Sequence, residues 1–459
     1  MPSLLLAVVL AASSTSSARF ETIKREASSE ELYRFLYALP KGGDLHNHLG
    51  GAGFPPILSR LATDRTVNGN QTFYTRVRIN DCDVDCGTPL YYFLTFRESH
   101  YQELPECCRM EYEPLDELSA DELEAWQSAM KIDEPTEGRN EFFEALWPRL
   151  NDVLEEASIL AELAVENMKL FADEGVRYVE FQISPFGRRA GGHPISPDEM
   201  HEILVARLSK PDATATGVTV RFQTNVLRFS PRAEEMVEAS YAFVDRHRDW
   251  WSSVNLVGRE DNDKGYPLRF LETFRKMRRR YPDIPMSIHG GEVDEPNRHV
   301  RDTLLLGADR IGHGTNLVTD PDTLLLLRSG QFPIEVSLVS NQLLRYASPD
   351  EHPFPEYLRL GIPVCLSTDD RGMWDSNMTD EYFNAVTAYN LSWDELIQLG
   401  RSSLRFAFVS EENKAALLRS YEEDVEAFRA QYLGDDWRER LAEVPAQPTG
   451  YARKYLLGR

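Results

Sequence analysis

From Val176 onward, short apolar runs alternate with amphipathic stretches of helical length, and no other feature of the chain restricts its fold so strongly. A strand followed by a helix, repeated, leads to a parallel sheet wrapped by helices, because parallel neighbours need a long crossover. The predicted strands are Val176 to Ile183, Val218 to Leu227, Trp251 to Val257, Pro285 to His289, Arg310 to His313, Phe332 to Leu338 and Ile362 to Ser367. Gly42 to His48, just ahead of the turn-rich Gly50-Gly51, supplies the first. Eight strands with helical spacers fit the α/β class as a (β/α)8 TIM barrel. An open doubly wound sheet has the same local pattern, and strand counting alone does not exclude it.

Between Leu61 and Glu137 the alternation breaks down, over a stretch too long for an ordinary βα loop. It reads as an insertion after the first strand of a barrel domain spanning 19–459. The segment from Asp380 to Tyr432 carries Leu, Phe and Ala at three-to-four spacing and is predicted to be helical, closing the barrel. With 42% hydrophobic and 27% charged residues, the composition is that of a folded globular chain. A formal net charge of −24 argues against a nucleic-acid partner, which calls for clustered Lys and Arg.

Leu4 to Ala12 form a nine-residue apolar run followed by small and hydroxyl residues ending at Ala18. The run is too short to span a bilayer, and Ser16 and Ala18 suit signal-peptidase cleavage, so residues 1–18 are expected to be a signal peptide and the protein secreted. No later segment approaches about 18 consecutive apolar residues, so no membrane association is expected after cleavage. Cys82, Cys86, Cys107 and Cys108 form an even local cluster, which in an oxidising compartment reads as two disulfides. Cys82 and Cys86 are expected to pair with Cys107 and Cys108, because the adjacent two would close a strained ring. A zinc knot is the rival reading, although the spacing does not match the common ones. Cys365 lies in an apolar run and is expected to be a buried free thiol. The sequons at Asn70, Asn377 and Asn390 agree with a secreted glycoprotein.

Chemistry-bearing residues gather where predicted strands run out, the face on which barrel active sites assemble. His46 and His48 are two apart on the first strand and so point to one side, within reach of a single metal. Alone, such a pair is commonly incidental. His289-Gly290-Gly291-Glu292, Gly312-His313-Gly314 and Ser367-Thr368-Asp369-Asp370 end three further strands. Taken singly, His313 could be a helix-cap or core histidine, and Asp369-Asp370 could open a helix as N-caps. Taken together, four His and three carboxylates at four strand ends point to a site.

In order and spacing, "KGGDLHNHLGGA", "SIHGGE", "RIGHGTNL" and "VCLSTDD" resemble the signature segments of the adenosine deaminase family, a branch of the metal-dependent hydrolases. "VNLVGRED" and "IEVSLVSNQLL" resemble less distinctive strands of the same family. The similarity covers roughly residues 41 to 60 and 140 to 432, and the leader and cysteine-bearing insertion look like the secreted branch. The resemblance implies that His46, His48, His289 and Asp369 hold one Zn2+ per chain, a donor set that suits zinc and leaves room for a water. It implies that His313 orients the attacking oxygen and helps accept its proton, and that Glu292, its pKa raised by burial, protonates the purine N1. Asp370 would bond the ring near N7, and Gly258 would offer its backbone N–H to N3.

The implied reaction is zinc-dependent hydrolysis of adenosine or 2′-deoxyadenosine to inosine and ammonia. The implied partner is a small purine nucleoside; homodimer formation is left open. Trp251 to Val257 lacks the lysine that a two-metal amidohydrolase would use there, which favours a single metal. The H-x-E and P-C-x-x-C signature of another zinc deaminase fold is absent. Gly50 stands where many family members carry an acidic residue for the ribose 5′-hydroxyl, so ribose recognition does not carry over. Another 6-aminopurine (adenine, a modified nucleoside or AMP) is the alternative substrate. An extracellular signalling or binding protein with incidental catalysis is the alternative class.

Overall fold

Eight strands pair in parallel and in chain order in a computed structural model that describes residues 15–261 and 265–458. They are β1 (Gly42–His48), β2 (Val176–Ile183), β3 (Thr219–Leu227), β4 (Trp251–Val257), β5 (Met286–Gly290), β6 (Arg310–His313), β7 (Ile334–Val336) and β8 (Val364–Leu366). Each matches a predicted strand. The chain beyond β8 returns to β1 through a parallel bridge between Asn47 and Asp369. There the His48 N–H donates to Asp369 O at 3.1 Å and the Asp369 N–H to His46 O at 2.9 Å. This seam closes the sheet into a barrel, which the open alternative could not do.

Strands buried on both faces need residues that tolerate a dry surround, and β1 and β4 are buried at every position. The barrel interior nonetheless carries charge. Arg310 on β6 reaches Glu180 on β2 at 2.6 Å and Glu335 on β7 at 2.5 Å, and all three side chains are buried. The Tyr178 hydroxyl and the Gln223 amide also donate to Glu180, so its lone pairs are well occupied.

Helices Met378–Tyr389, Trp393–Arg405 and Glu411–Tyr432 fulfil the helical reading of the C-terminal third. Ser392 and Glu395 form a capping box at the start of the second, which packs against β1 and β8. Between β1 and β2 lies a separate three-stranded antiparallel sheet, with Phe73–Arg76 between Thr95–Arg97 and Tyr112–Pro114. Leu94, Phe96, Leu104, Cys108 and Tyr112 give it an apolar cluster of its own. Cys82 bonds Cys107 and Cys86 bonds Cys108, which removes the zinc-knot reading, and Cys365 is a buried free thiol.

The expected signal segment lies outside the described residues over 1–14. Residues 15–26 are helical, with Phe20 packed on Phe35 and Trp393 and with Arg429 donating to the buried Ser16 hydroxyl. Cleavage after Ala18 would therefore cut within helical backbone. Asn70 and Asn390 are exposed, whereas Asn377 is buried and caps the helix that starts at Met378. Among the described residues no helix is long and apolar enough to cross a membrane.

Candidate metal centre and active site

The alternation of β1 turns His46 and His48 to one side, and β5 brings His289 against both. The Nε2 atoms of His46 and His48 each lie 3.1 Å from His289 Nε2. Asp369 Oδ1, just beyond β8, stands 3.6 Å from His46 Nε2 and 3.4 Å from His48 Nε2. Tetrahedral zinc with bonds of about 2.0–2.1 Å sets its donors about 3.3 Å apart, which these four separations approach.

Hydrogen bonds decide which ring nitrogens are bare. Gln223 Nε2 donates to the Glu180 carboxylate at 2.7 Å, which turns its Oε1 to accept from Asn255 Nδ2 at 3.1 Å. Asn255 Oδ1 must then accept the His289 Nδ1 proton, at 3.1 Å, and His289 Nε2 is left as a lone pair. Glu335 does the same for His46 from 2.8 Å, while also accepting from Arg310 and Ser287. Burial holds both imidazoles neutral: it drives His46 down to about 3, with Arg310 adding to the effect, and places His289 well below its ordinary value. Bare imidazole nitrogens 3.1 Å apart repel one another unless a cation lies between them. Ser340 Oγ donates to Asp369 Oδ2 at 2.6 Å, leaving Oδ1 turned to the histidines. The chemistry of this donor set, neutral nitrogens and one carboxylate, fits zinc.

Glu292 follows His289 by three residues across a turn in which Gly291 adopts φ +79°. Glu260 holds that turn by accepting the N–H groups of Gly291 and Glu292 at 3.1 and 3.2 Å. Burial favours protonation of Glu260, but Arg228 and His299 outweigh it and bring its pKa down to about 2. The Glu292 carboxyl comes to 3.7 Å from His313 Nε2. Burial first, then the neighbouring Asp369 charge, pushes its pKa well above the carboxylate range, so it retains a proton. His313 ends β6 at φ +65° and Asp369 follows β8 at φ +55°, left-handed backbone that side chains rarely adopt outside special sites.

The next helix after Asp369-Asp370 starts only at Met378, so neither aspartate is an N-cap. Asp370 is buried with Oδ1 unpartnered among the described residues, and a Cβ on Gly51 would lie 1.7 Å from that atom. Gly258 follows β4 at φ +102° with the Phe229 ring against it. At Gly50, a Cβ would touch Trp147 and Leu154 at 3.3 Å, so apolar side chains fill the direction that an acidic residue would take.

The structure thus gathers His46, His48, His289, Glu292, His313 and Asp369 at one end of the barrel, with Asp370 adjacent. Sequence reasoning missed Asn255, Glu260, Glu335 and Ser340, which orient them. A polar residue inside an apolar strand run, as in "VNLVGRED" or "IEVSL", was the available signal.

An eight-stranded parallel barrel with three imidazoles and an aspartate gathered at its strand ends defines a metal-dependent hydrolase. A family model described as adenosine deaminase matches residues 112–423, more than half of the chain, and the chain belongs to that family. It is similar to adenosine deaminase of Enterococcus faecalis, 29% identical over 269 residues that cover 58% of this chain and 76% of that protein. Its likeness to N6-methyl-AMP deaminase of Bos taurus is 26% over 261 residues, covering 55% and 73%. A Burkholderia ambifaria amidohydrolase solved with bound zinc shares the fold at TM-score 0.62 and 19% identity, covering 87% of this chain and 94% of that one. The protein is therefore a hydrolytic deaminase acting on a C–N bond.

Proposed function

We propose that the chain hydrolyses adenosine or 2′-deoxyadenosine to inosine and ammonia, with one zinc held by His46, His48, His289 and Asp369. The convergence of three imidazole Nε2 atoms beside a buried glutamate, whose pKa burial raises, carries this reading. Zinc, when bound there, makes a water nucleophilic near neutral pH. Glu292 gives its proton to the purine N1, which makes C6 electrophilic, and His313 orients the attacking oxygen. Asp370, with Oδ1 unpartnered among the described residues, bonds the ring near N7, and the Gly258 N–H meets N3.

Near-complete burial of these groups excludes bulk water and strengthens every polar contact to a bound purine. Two disulfides in the insertion support export to an oxidising compartment, which N-terminal sequencing of protein recovered from medium would test. Amine release from adenosine, 2′-deoxyadenosine, adenine, AMP and N6-methyl-AMP tests the substrate. The two nucleosides should give the highest kcat/KM. A higher value for any of the other three reassigns the substrate, and no release from any of them overturns the reading.

A further inference from the structure

His313 is held differently from the two histidines whose tautomers the barrel interior fixes. Its Nδ1 lies 3.3 Å from Asn341 Nδ2, and among the described residues its Nε2 has no hydrogen-bond partner. Which way protons run along this contact is settled by a backbone group thirteen residues beyond Asn341, reached through His352. The Phe354 N–H can only donate, and it donates to His352 Nδ1 at 3.1 Å. His352 is buried, and burial pulls its pKa down to about 3, so the ring is neutral and its single proton sits on Nε2. That proton goes to Asn341 Oδ1 at 3.0 Å, which also accepts from the Thr315 hydroxyl at 3.1 Å. Two donors on one side fix the Asn341 amide with its nitrogen toward His313.

We propose that this relay, from the Phe354 N–H through His352 and Asn341, locks His313 as the tautomer protonated on Nε2. The ring therefore presents an N–H, and not a lone pair, to the reacting oxygen. His313 could otherwise join His46 and His289 as a third imidazole ligand, since the three nitrogens lie close enough together. A proton on Nε2 rules that out. It also replaces the expectation that His313 helps to accept a proton: the ring donates a hydrogen bond to negative charge growing on the oxygen. His352, remote from the substrate, is a positioning residue that acts through Asn341. Its catalytic consequence rests on the deaminase reading above; the tautomer itself does not.

Selective 15N-histidine labelling of the full chain, with and without zinc, reads the tautomer directly, and His313→Asn assigns the signal among the ten histidines. Expected are a protonated Nε2 and a bare Nδ1 in both states. A proton on Nδ1, or a ligation shift of Nε2 when zinc is added, overturns the proposal. His352→Leu removes the donor to Asn341 and should scramble the His313 signals and lower kcat about tenfold or more, with KM changed less than about twofold. His352→Gln keeps an amide donor toward Asn341 and should restore the tautomer and most of kcat. If His352→Leu leaves the His313 tautomer unchanged, the relay is refuted. If the protein deaminates no purine at all, the function fails while the labelling result still decides the relay.

Discussion

Glu292 shows how far one side chain depends on its neighbours. Its carboxyl is buried beside Asp369 and Glu260, so ionisation would crowd negative charge into a dry pocket, and the proton stays on. Glu292→Gln keeps the shape but has no acidic proton to give. Turnover should fall by about 10²- to 10⁴-fold while zinc content, measured on the purified protein, stays at the wild-type value. Parallel loss of zinc would make Glu292 a ligand instead. At Gly50 the side-chain direction is filled by Trp147 and Leu154, where an acidic residue would have met a ribose 5′-hydroxyl. 5′-Deoxyadenosine should therefore be deaminated nearly as fast as adenosine, and a loss of about a hundredfold or more would show that another buried group reads that hydroxyl. The cluster of candidate ligands was legible in the sequence because its members crowd the ends of strands beside glycines. Their supporters were not. Asn255 and Glu335 sit mid-strand among apolar residues, and only closure of the barrel brings Glu335 on β7 to His46 on β1.

Among the elements, the barrel strands and C-terminal helices were readable from periodicity alone, since each combines a clear period with a turn. The insertion was not: its strands are three or four residues long, too short for alternation to register, and the disulfides do the work that a core would do elsewhere. Its apolar cluster is separate from the barrel core. Reduction should therefore loosen the insertion first, with each bridge contributing about 2–4 kcal/mol. Limited proteolysis under reducing conditions should cut between residues 77 and 111 while the barrel fragment resists. Simultaneous cleavage throughout the barrel would mean that the two units do not unfold separately.

For the molecule as a whole, the interior holds the proposed metal ligands at one end and, among other buried charges, Arg310 with Glu180 and Glu335 deeper in. Arg310→Met would strand two buried carboxylates and should cost about 3–5 kcal/mol, read as a drop in the unfolding midpoint with urea. A near-neutral result would show that the carboxylates simply take up protons. Zinc bound only by the folded state should add stability as its concentration rises, by about 1.4 kcal/mol for each tenfold excess over Kd. Thermal unfolding after chelation and stepwise zinc return measures that slope, and a midpoint indifferent to zinc would deny the metal any part in holding the barrel.

Asp369 lends its backbone to β1 and its carboxylate to His46 and His48, and it arrives with the last strand. A ribosome-bound chain has all three histidines well before it has that residue. Until Asp369 has been added, the cylinder has an open side and the proposed metal site lacks its carboxylate donor. Sealing the wall and completing the proposed donor set thus await the same residue.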